Sequence, residues 1–304
     1  MGLKIHKSYP IDQCALFKLH SKRKLSTILG TSLPKLLRLI EQGDENYHQF
    51  EITPTGRKPR TVQHPKDQLQ RVHTRLFNLL RRVTPPAYLH SGVKGRSYVT
   101  NAKSHIGEHS VRKLDIKSFY PSTKFHHIHQ FFRDTLLCSP DVANILTRLT
   151  TVNDHVPTGS CISQALAFYA HLEMFNKMYA ASSEVSINMT VYVDDVTFSG
   201  KNLSDSFIFI IKKIIHQRGL AYHKERSYHY NEPKLITGVI INKNEIKVPN
   251  KLQQAIHKES KELQQLTSEQ LRSLTGKCNA AAQIEPKFLS SARRVRKRAI
   301  ESIE

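Results

Sequence analysis

Tyr192-Val193-Asp194-Asp195 sits inside an apolar run from Met189 to Phe198. Met189, Val191 and Val193 alternate with Thr190 and Tyr192, and Val196, Thr197 and Phe198 follow, so the run reads as extended chain. Two adjacent carboxylates there repel each other. At a strand-to-strand turn divalent cations are a natural means of neutralising them, because Mg²⁺ prefers carboxylates plus substrate phosphates. The plainer reading is a solvated hairpin tip, since Asp-rich turns are common. A third carboxylate, Asp115, ends the β-like stretch that begins at Val111; Tyr120 follows five residues later and Pro121 stops the segment. Asp115, Asp194 and Asp195 together suit two-metal catalysis, in which ions about 3.5–4 Å apart serve the attacking and the leaving oxygen. The corresponding chemistry is attack of a sugar hydroxyl on a nucleotide α-phosphate, with pyrophosphate leaving.

The elements that must position these carboxylates follow from pattern. The chain up to about Gln49 reads as mainly helical, with a helix after Ser32-Leu33-Pro34. Glu51 to Val62 reads as a hairpin with a Pro/Gly turn and the cations Arg57, Lys58 and Arg60 beyond its tip. Leu69, Val72, Leu76, Leu79 and Leu80 give Gln68 to Arg82 a helical apolar face. His126, His127 and His129 could be read as a metal cluster; a helix after Pro121 with Ile128, Phe131 and Phe132 inward is the better reading. Ser163 to Leu172 and Ser204 to Gln217 are helical in pattern, and Gly219 ends the second. Lys234 to Asn242 reads as one buried strand. From about Pro249 helices are expected again, one capped by Ser268 and a last one, Phe288 to Ile303, rich in arginine and lysine.

Composition narrows the partners. The 304 residues carry 46 Lys+Arg against 25 Asp+Glu, a net charge of +21, which calls for a polyanion. No apolar run of about 18 residues and no secretory leader is evident, so no membrane partner is expected. Cys14, Cys138, Cys161 and Cys278 are scattered without C-x-x-C spacing, as in a reduced, cytoplasmic protein without structural zinc.

The chain resembles a reverse transcriptase, and more narrowly a retron reverse transcriptase. Asp115 falls in that family's first palm motif, Pro157-Thr158-Gly159-Ser160-Cys161-Ile162-Ser163-Gln164 in its second, and Tyr192 to Asp195 in its third. Asn101-Ala102-Lys103-Ser104-His105 resembles the family's Asn-Ala-x-x-His signature, and Ile236-Thr237-Gly238 its Val-Thr-Gly triplet. The likeness covers roughly Arg57 to Val248. Val193 stands where retron enzymes often have Ala, Ser163-Gln164 where they often have Ser-Pro, and Thr158-Gly159 where Gln-Gly is frequent. The Gly-x-x-x-Ser-Gln form is similar to reverse transcriptases of diversity-generating retroelements, which remain the nearer alternative. Group II intron enzymes are another; they usually carry maturase or endonuclease regions for which 304 residues leave no room. A rival of another class is a non-catalytic RNA-binding scaffold.

The resemblance implies an α+β right-hand polymerase: an N-terminal helical region (1–50), fingers and a palm of antiparallel sheet packed on helices (51–248), and a helical thumb (249–304). It implies two Mg²⁺ ions held by Asp115, Asp194 and Asp195, and triphosphate contact from Lys58 and Arg60. Thr158 and Gly159 would lie close to the nucleotide, and Lys224 in the fourth palm motif near the pyrophosphate. Tyr120 stands where RNA-dependent RNA polymerases have a second Asp, and its ring would exclude a ribose 2′-OH and select deoxynucleoside triphosphates. Asn101, His105, Thr237 and Gly238 are expected at the enzyme's own RNA, and Arg293, Arg294 and Arg296 along the nucleic-acid backbone. A retron enzyme would copy a cognate non-coding RNA into DNA, prime from an RNA 2′-OH, and serve phage defence with an effector partner.

Overall fold

Apolar spacing decides which stretches become helices, and β-branched runs which become strands. The computed structural model describes residues 8–53 and 58–301. The hairpin tip with Arg57, and Ile303, lie outside the described residues. In chain order the helices are α1 (Lys22–Leu29), α2 (Leu33–Gln42), α3 (Asp67–Leu80), α4 (Tyr98–Lys103), α5 (Phe119–Ser122), α6 (Phe125–Gln130), α7 (Pro140–Thr150), α8 (Ser163–Ala170), α9 (Leu172–Glu184), α10 (Asp205–Gln217), α11 (Asn250–Lys261), α12 (Ser268–Ile284) and α13 (Leu289–Glu301). The strands are β1 (Tyr47–Ile52), β2 (Arg60–Pro65), β3 (Ser110–Ile116), β4 (Asn188–Tyr192), β5 (Asp195–Gly200), β6 (Tyr222–Tyr228), β7 (Lys234–Ile236), β8 (Val239–Asn242) and β9 (Glu245–Lys247). They form a β1-β2 ribbon, a four-stranded sheet in the order β4-β5-β3-β6, and a meander β7-β8-β9. The pairings β1–β2, β3–β5, β4–β5, β7–β8 and β8–β9 are antiparallel, so the chain is of the expected α+β class.

The fold divides into two units. The first comprises the residues up to Ala87, Ile116–Ala181 and Phe209–His223. Its core gathers Leu36, Leu76, Leu80, Phe131, Phe132 and Phe175, all essentially without solvent contact. Ile128, Phe131 and Phe132 point inward as their helical spacing requires, and His127 is buried beside them. Pro121 does not stop the segment after Asp115. It sits in the first turn of α5, where a helix has no use for the missing N–H.

The second unit comprises Tyr88–Asp115, Ser182–Ile208 and the stretch from Lys224 onward. Val99 and Ala102 of α4 share one apolar cluster with Ile236, Val239 and Ile241 of the meander and with Ile256, Leu274, Cys278 and Val295 of the three C-terminal helices. Two expectations need correction here. Lys234 to Asn242 is not one strand but a hairpin: Thr237 (φ 44) and Gly238 (φ 82) are both left-handed, the pattern of a two-residue type I′ turn. Glycine adopts this freely; Thr237 is held there because its Oγ1 donates to the Tyr98 carbonyl at 2.9 Å. The cap of α12 is Thr267 rather than Ser268, in a reciprocal capping box with Gln270.

Candidate active site

The carboxylates are set by strand register. Asp115 on β3 lies directly opposite Asp195 on β5, and Tyr192 on β4 lies opposite Asp195 on its other side. Directly opposed residues have Cα atoms about 4.5–5.5 Å apart and side chains on the same face. Asp194 is the next residue along, in the β4–β5 turn. This turn contains Val193 at φ 60, a conformation that a β-branched residue rarely adopts and that costs about 1–3 kcal/mol. Its surroundings hold it: the Val193 N–H donates to Ser91 Oγ at 2.8 Å, and the Val191 N–H to the Tyr88 carbonyl at 2.8 Å.

Charge at the site is strongly unbalanced. Burial, and next the negative charge of Asp115, push the Asp194 carboxyl up to about 6. Burial also raises Asp195, against the opposing pull of Lys113. Two lysines reach in: Lys113 Nζ lies 3.5 Å from Asp195, and Lys224 Nζ 3.4 Å from Asp115. Among the described residues no three His, Cys, Asp or Glu side chains converge tightly enough to cage a metal ion. The donor set nevertheless suits Mg²⁺, which keeps waters and substrate phosphates in its shell and takes only one or two carboxylates directly.

In the first unit an open cleft of about 480 Å³ is lined by Arg60 and Thr61 of β2, Pro121, His155 and Thr158, among others. It therefore unites two of the residues assigned to nucleotide contact, Arg60 and Thr158. Gly159 follows at a point of close approach, where a Cβ would come within 2.7 Å of Val62 Cγ1. Tyr120 is half-buried beside the core ring of Phe119, and Lys58 is exposed just before β2.

No family model matches the chain. It is 31% identical over 198 residues to the retron Se72 reverse transcriptase of Salmonella heidelberg, covering 63% of this chain and 52% of that protein. Against the retron Ec48 reverse transcriptase of Escherichia coli the identity is 25% over 248 residues, 75% of this chain and 60% of that one. The retron Ec86 reverse transcriptase, also of Escherichia coli, is 22% identical over 238 residues, 75% of this chain and 72% of that one. The chain is thus similar to several retron reverse transcriptases. It spans about half the length of the first of these relatives. A foamy viral protease–reverse transcriptase solved in complex with double-stranded DNA superposes with a TM-score of 0.48 at 15% identity, covering 83% of this chain and 38% of that one.

The two retron marks meet in space. Asn101 Nδ2 donates to Thr237 Oγ1 at 3.3 Å, tying α4 to the β7–β8 turn. The His105 ring bonds Ser199 Oγ and Thr190 Oγ1, each at 2.7 Å, and so staples β4 to β5 on the face that carries Tyr192 and Asp195. Asn101 and His105 have no exposed surface, which corrects the expectation that they touch RNA directly: their polar atoms face the protein interior. Gly238 is exposed at the turn and Thr237 half-buried. Arg293, Arg294 and Arg296 lie exposed on α13, whose Ala292 and Val295 face the core.

Sequence reasoning missed three residues. Lys113 carried a signal, since two residues before Asp115 in a strand means the same face. Gln63 and Ser91 carried none, because their partners lie about a hundred residues away.

No helix among the described residues is long and apolar enough to cross a membrane.

Proposed function

We propose that this chain is an RNA-directed DNA polymerase of retron type, joining deoxynucleotides by two-metal nucleotidyl transfer. The observation that carries the proposal is the register that sets Asp115 against Asp195, with Asp194 in the adjoining turn. Asp115, Asp194 and Asp195 would hold two Mg²⁺ ions. When bound, such ions supply charge neutralisation at the attacking 3′-oxygen and at the departing pyrophosphate. The protein's own groups do the rest. Lys113 orients Asp195, and Lys224 places positive charge where pyrophosphate leaves. Arg60 offers a bidentate fork to the triphosphate and Lys58 a point charge. The backbone at Thr158 and Gly159 approaches the nucleotide, and the Tyr120 ring excludes a 2′-OH. Arg293, Arg294 and Arg296 follow the template–product backbone, and the Thr237-Gly238 turn meets the cognate RNA, with Asn101 and His105 bracing that turn and the carboxylate hairpin from within.

The likeness to retron enzymes, together with the net charge of +21, supports a structured non-coding RNA as template and partner, priming from an RNA 2′-OH, and a cytoplasmic role in phage defence alongside an effector protein. Extension of oligo(dT) on poly(rA) with Mg²⁺ and dTTP tests the polymerase reading: wild type extends, and Asp194→Asn does not although it still binds RNA. A wild type that binds RNA but never extends would instead be a scaffold. Debranching enzyme applied to nucleic acid from expressing cells should release RNA from DNA; unbranched product would argue against retron-type priming.

A further inference from the structure

Gln63 is only 3% exposed, yet it lines the cleft shared by Arg60, Thr61, Pro121, His155 and Thr158. Its backbone and its carboxamide oxygen are both fixed. The Gln63 N–H donates to Thr158 Oγ1 at 3.2 Å, the Thr158 N–H donates back to Gln63 Oε1 at 3.3 Å, and the Thr158 hydroxyl donates to the Thr61 carbonyl at 2.8 Å. The Gly159 N–H closes the lattice on the Gln63 carbonyl at 3.2 Å, at a spot where any Cβ on residue 159 would lie 2.9 Å from that oxygen. Because a backbone donor faces Oε1, the amide cannot be turned end for end without setting two donors against each other. The Nε2 group is left as a two-proton donor with no partner among the described residues. A nearly buried amide that keeps its Nε2 without a partner among the described residues, in a cleft that Arg60 also lines, is a pre-oriented donor for an oxygen-rich ligand, since its ordering entropy is already spent.

We infer that Gln63 is a further nucleotide-specificity residue, its Nε2 donating to an acceptor oxygen of the incoming deoxynucleoside triphosphate, either the sugar 3′-OH or a phosphate. This rests on the polymerase reading and deepens it. It also gives the Thr158 departure a physical meaning: where the side chain at 158 cannot supply an amide donor, the neighbouring strand does.

The test uses the full chain with Gln63→Glu, which keeps the oxygen for Thr158 and replaces the donor by an acceptor, and Gln63→Met, which keeps the volume and removes both. Equilibrium dTTP binding with Mg²⁺ is read beside steady-state incorporation on poly(rA)·oligo(dT). Loss of one donor to a charged ligand should weaken dTTP binding and raise its KM about tenfold, with the change in KM rather than kcat and with primer–template affinity and melting temperature retained. Comparing dTTP with its dideoxy analogue locates the acceptor: a 3′-OH contact makes Gln63→Met indifferent to the missing hydroxyl, whereas a phosphate contact weakens both nucleotides equally. Folded variants that bind dTTP like wild type, or that lose only primer–template affinity, overturn the inference. A wild type that binds dTTP but fails to incorporate it overturns the polymerase reading alone.

Discussion

Asp194 has one carboxylate beside it along the chain and another across the sheet, and its own carboxyl is pushed up to about 6 mainly by burial. A carboxyl whose folded value lies above its unfolded 3.8 destabilises the fold when ionised, so this burden is full above pH 6 and disappears as pH falls toward 4. Asp194→Asn should therefore be inactive yet more stable than wild type at pH 7 in EDTA, by about 1–2 kcal/mol after allowing for partial exposure. Thermal melts check this: the difference should shrink when Mg²⁺ is added to the wild type and vanish near pH 4. An Asn variant that melts below wild type in EDTA at pH 7 would contradict it. Val193 adds to the same local cost through its left-handed backbone, so stability is given up at the turn that holds the carboxylates, as functional sites commonly require.

At the scale of elements, the β7–β8 turn and α4 act as one brace. Thr237 Oγ1 donates to the Tyr98 carbonyl and accepts from Asn101, while Tyr98 Oη donates to the Ala280 carbonyl on α12. Thr237→Val keeps the shape and strands two part-buried polar partners, which should lower unfolding free energy by about 1–3 kcal/mol. Thr237→Ser, which keeps the hydroxyl, should recover most of this. Urea titration with an unchanged m-value distinguishes a lost bond from a loosened fold. If Val and Ser variants unfold alike, the hydroxyl is not what joins these elements.

Over the whole molecule, the five buried histidines among the described residues share a consequence, His90 being lowered by burial as well. Burial lowers His73 to about 4, His105 to about 3 and His127 to about 4, and takes His171 well below its usual value. Each is neutral in the fold but takes up a proton near 6.5 once unfolded. The stability they lend is complete above pH 6.5 and lost as pH falls toward 4, by about 1.4 kcal/mol per histidine per pH unit. The raised carboxyls of Asp194 and Asp195 oppose this. Unfolding midpoints measured from pH 7 to 5 should thus fall steeply, well before ordinary carboxylates titrate. A flat profile over that interval would mean that these rings are charged or exposed.

The chain order of Asp115, Pro157 to Gln164 and Tyr192 to Asp195 was enough to lead to the expectation of a nucleotidyl-transfer site and to the likeness to retron reverse transcriptases, because residue type, local spacing and β-branched runs are properties of the chain itself. The α+β class and most helices were legible for the same reason: an apolar face recurs every three or four residues whatever lies opposite it. What occupies the opposite side was not legible. Asn101 and His105 read as surface contacts from their motif, yet only packing decides that Asn101 Nδ2 and both His105 ring nitrogens are met by Thr237, Ser199 and Thr190 rather than by RNA. Gln63 has no distinguishing neighbour along the chain; its role arises from a bond to Thr158, 95 residues away. Period and composition act over a few residues, whereas hydrogen-bond partners and register are settled only when distant segments are brought together.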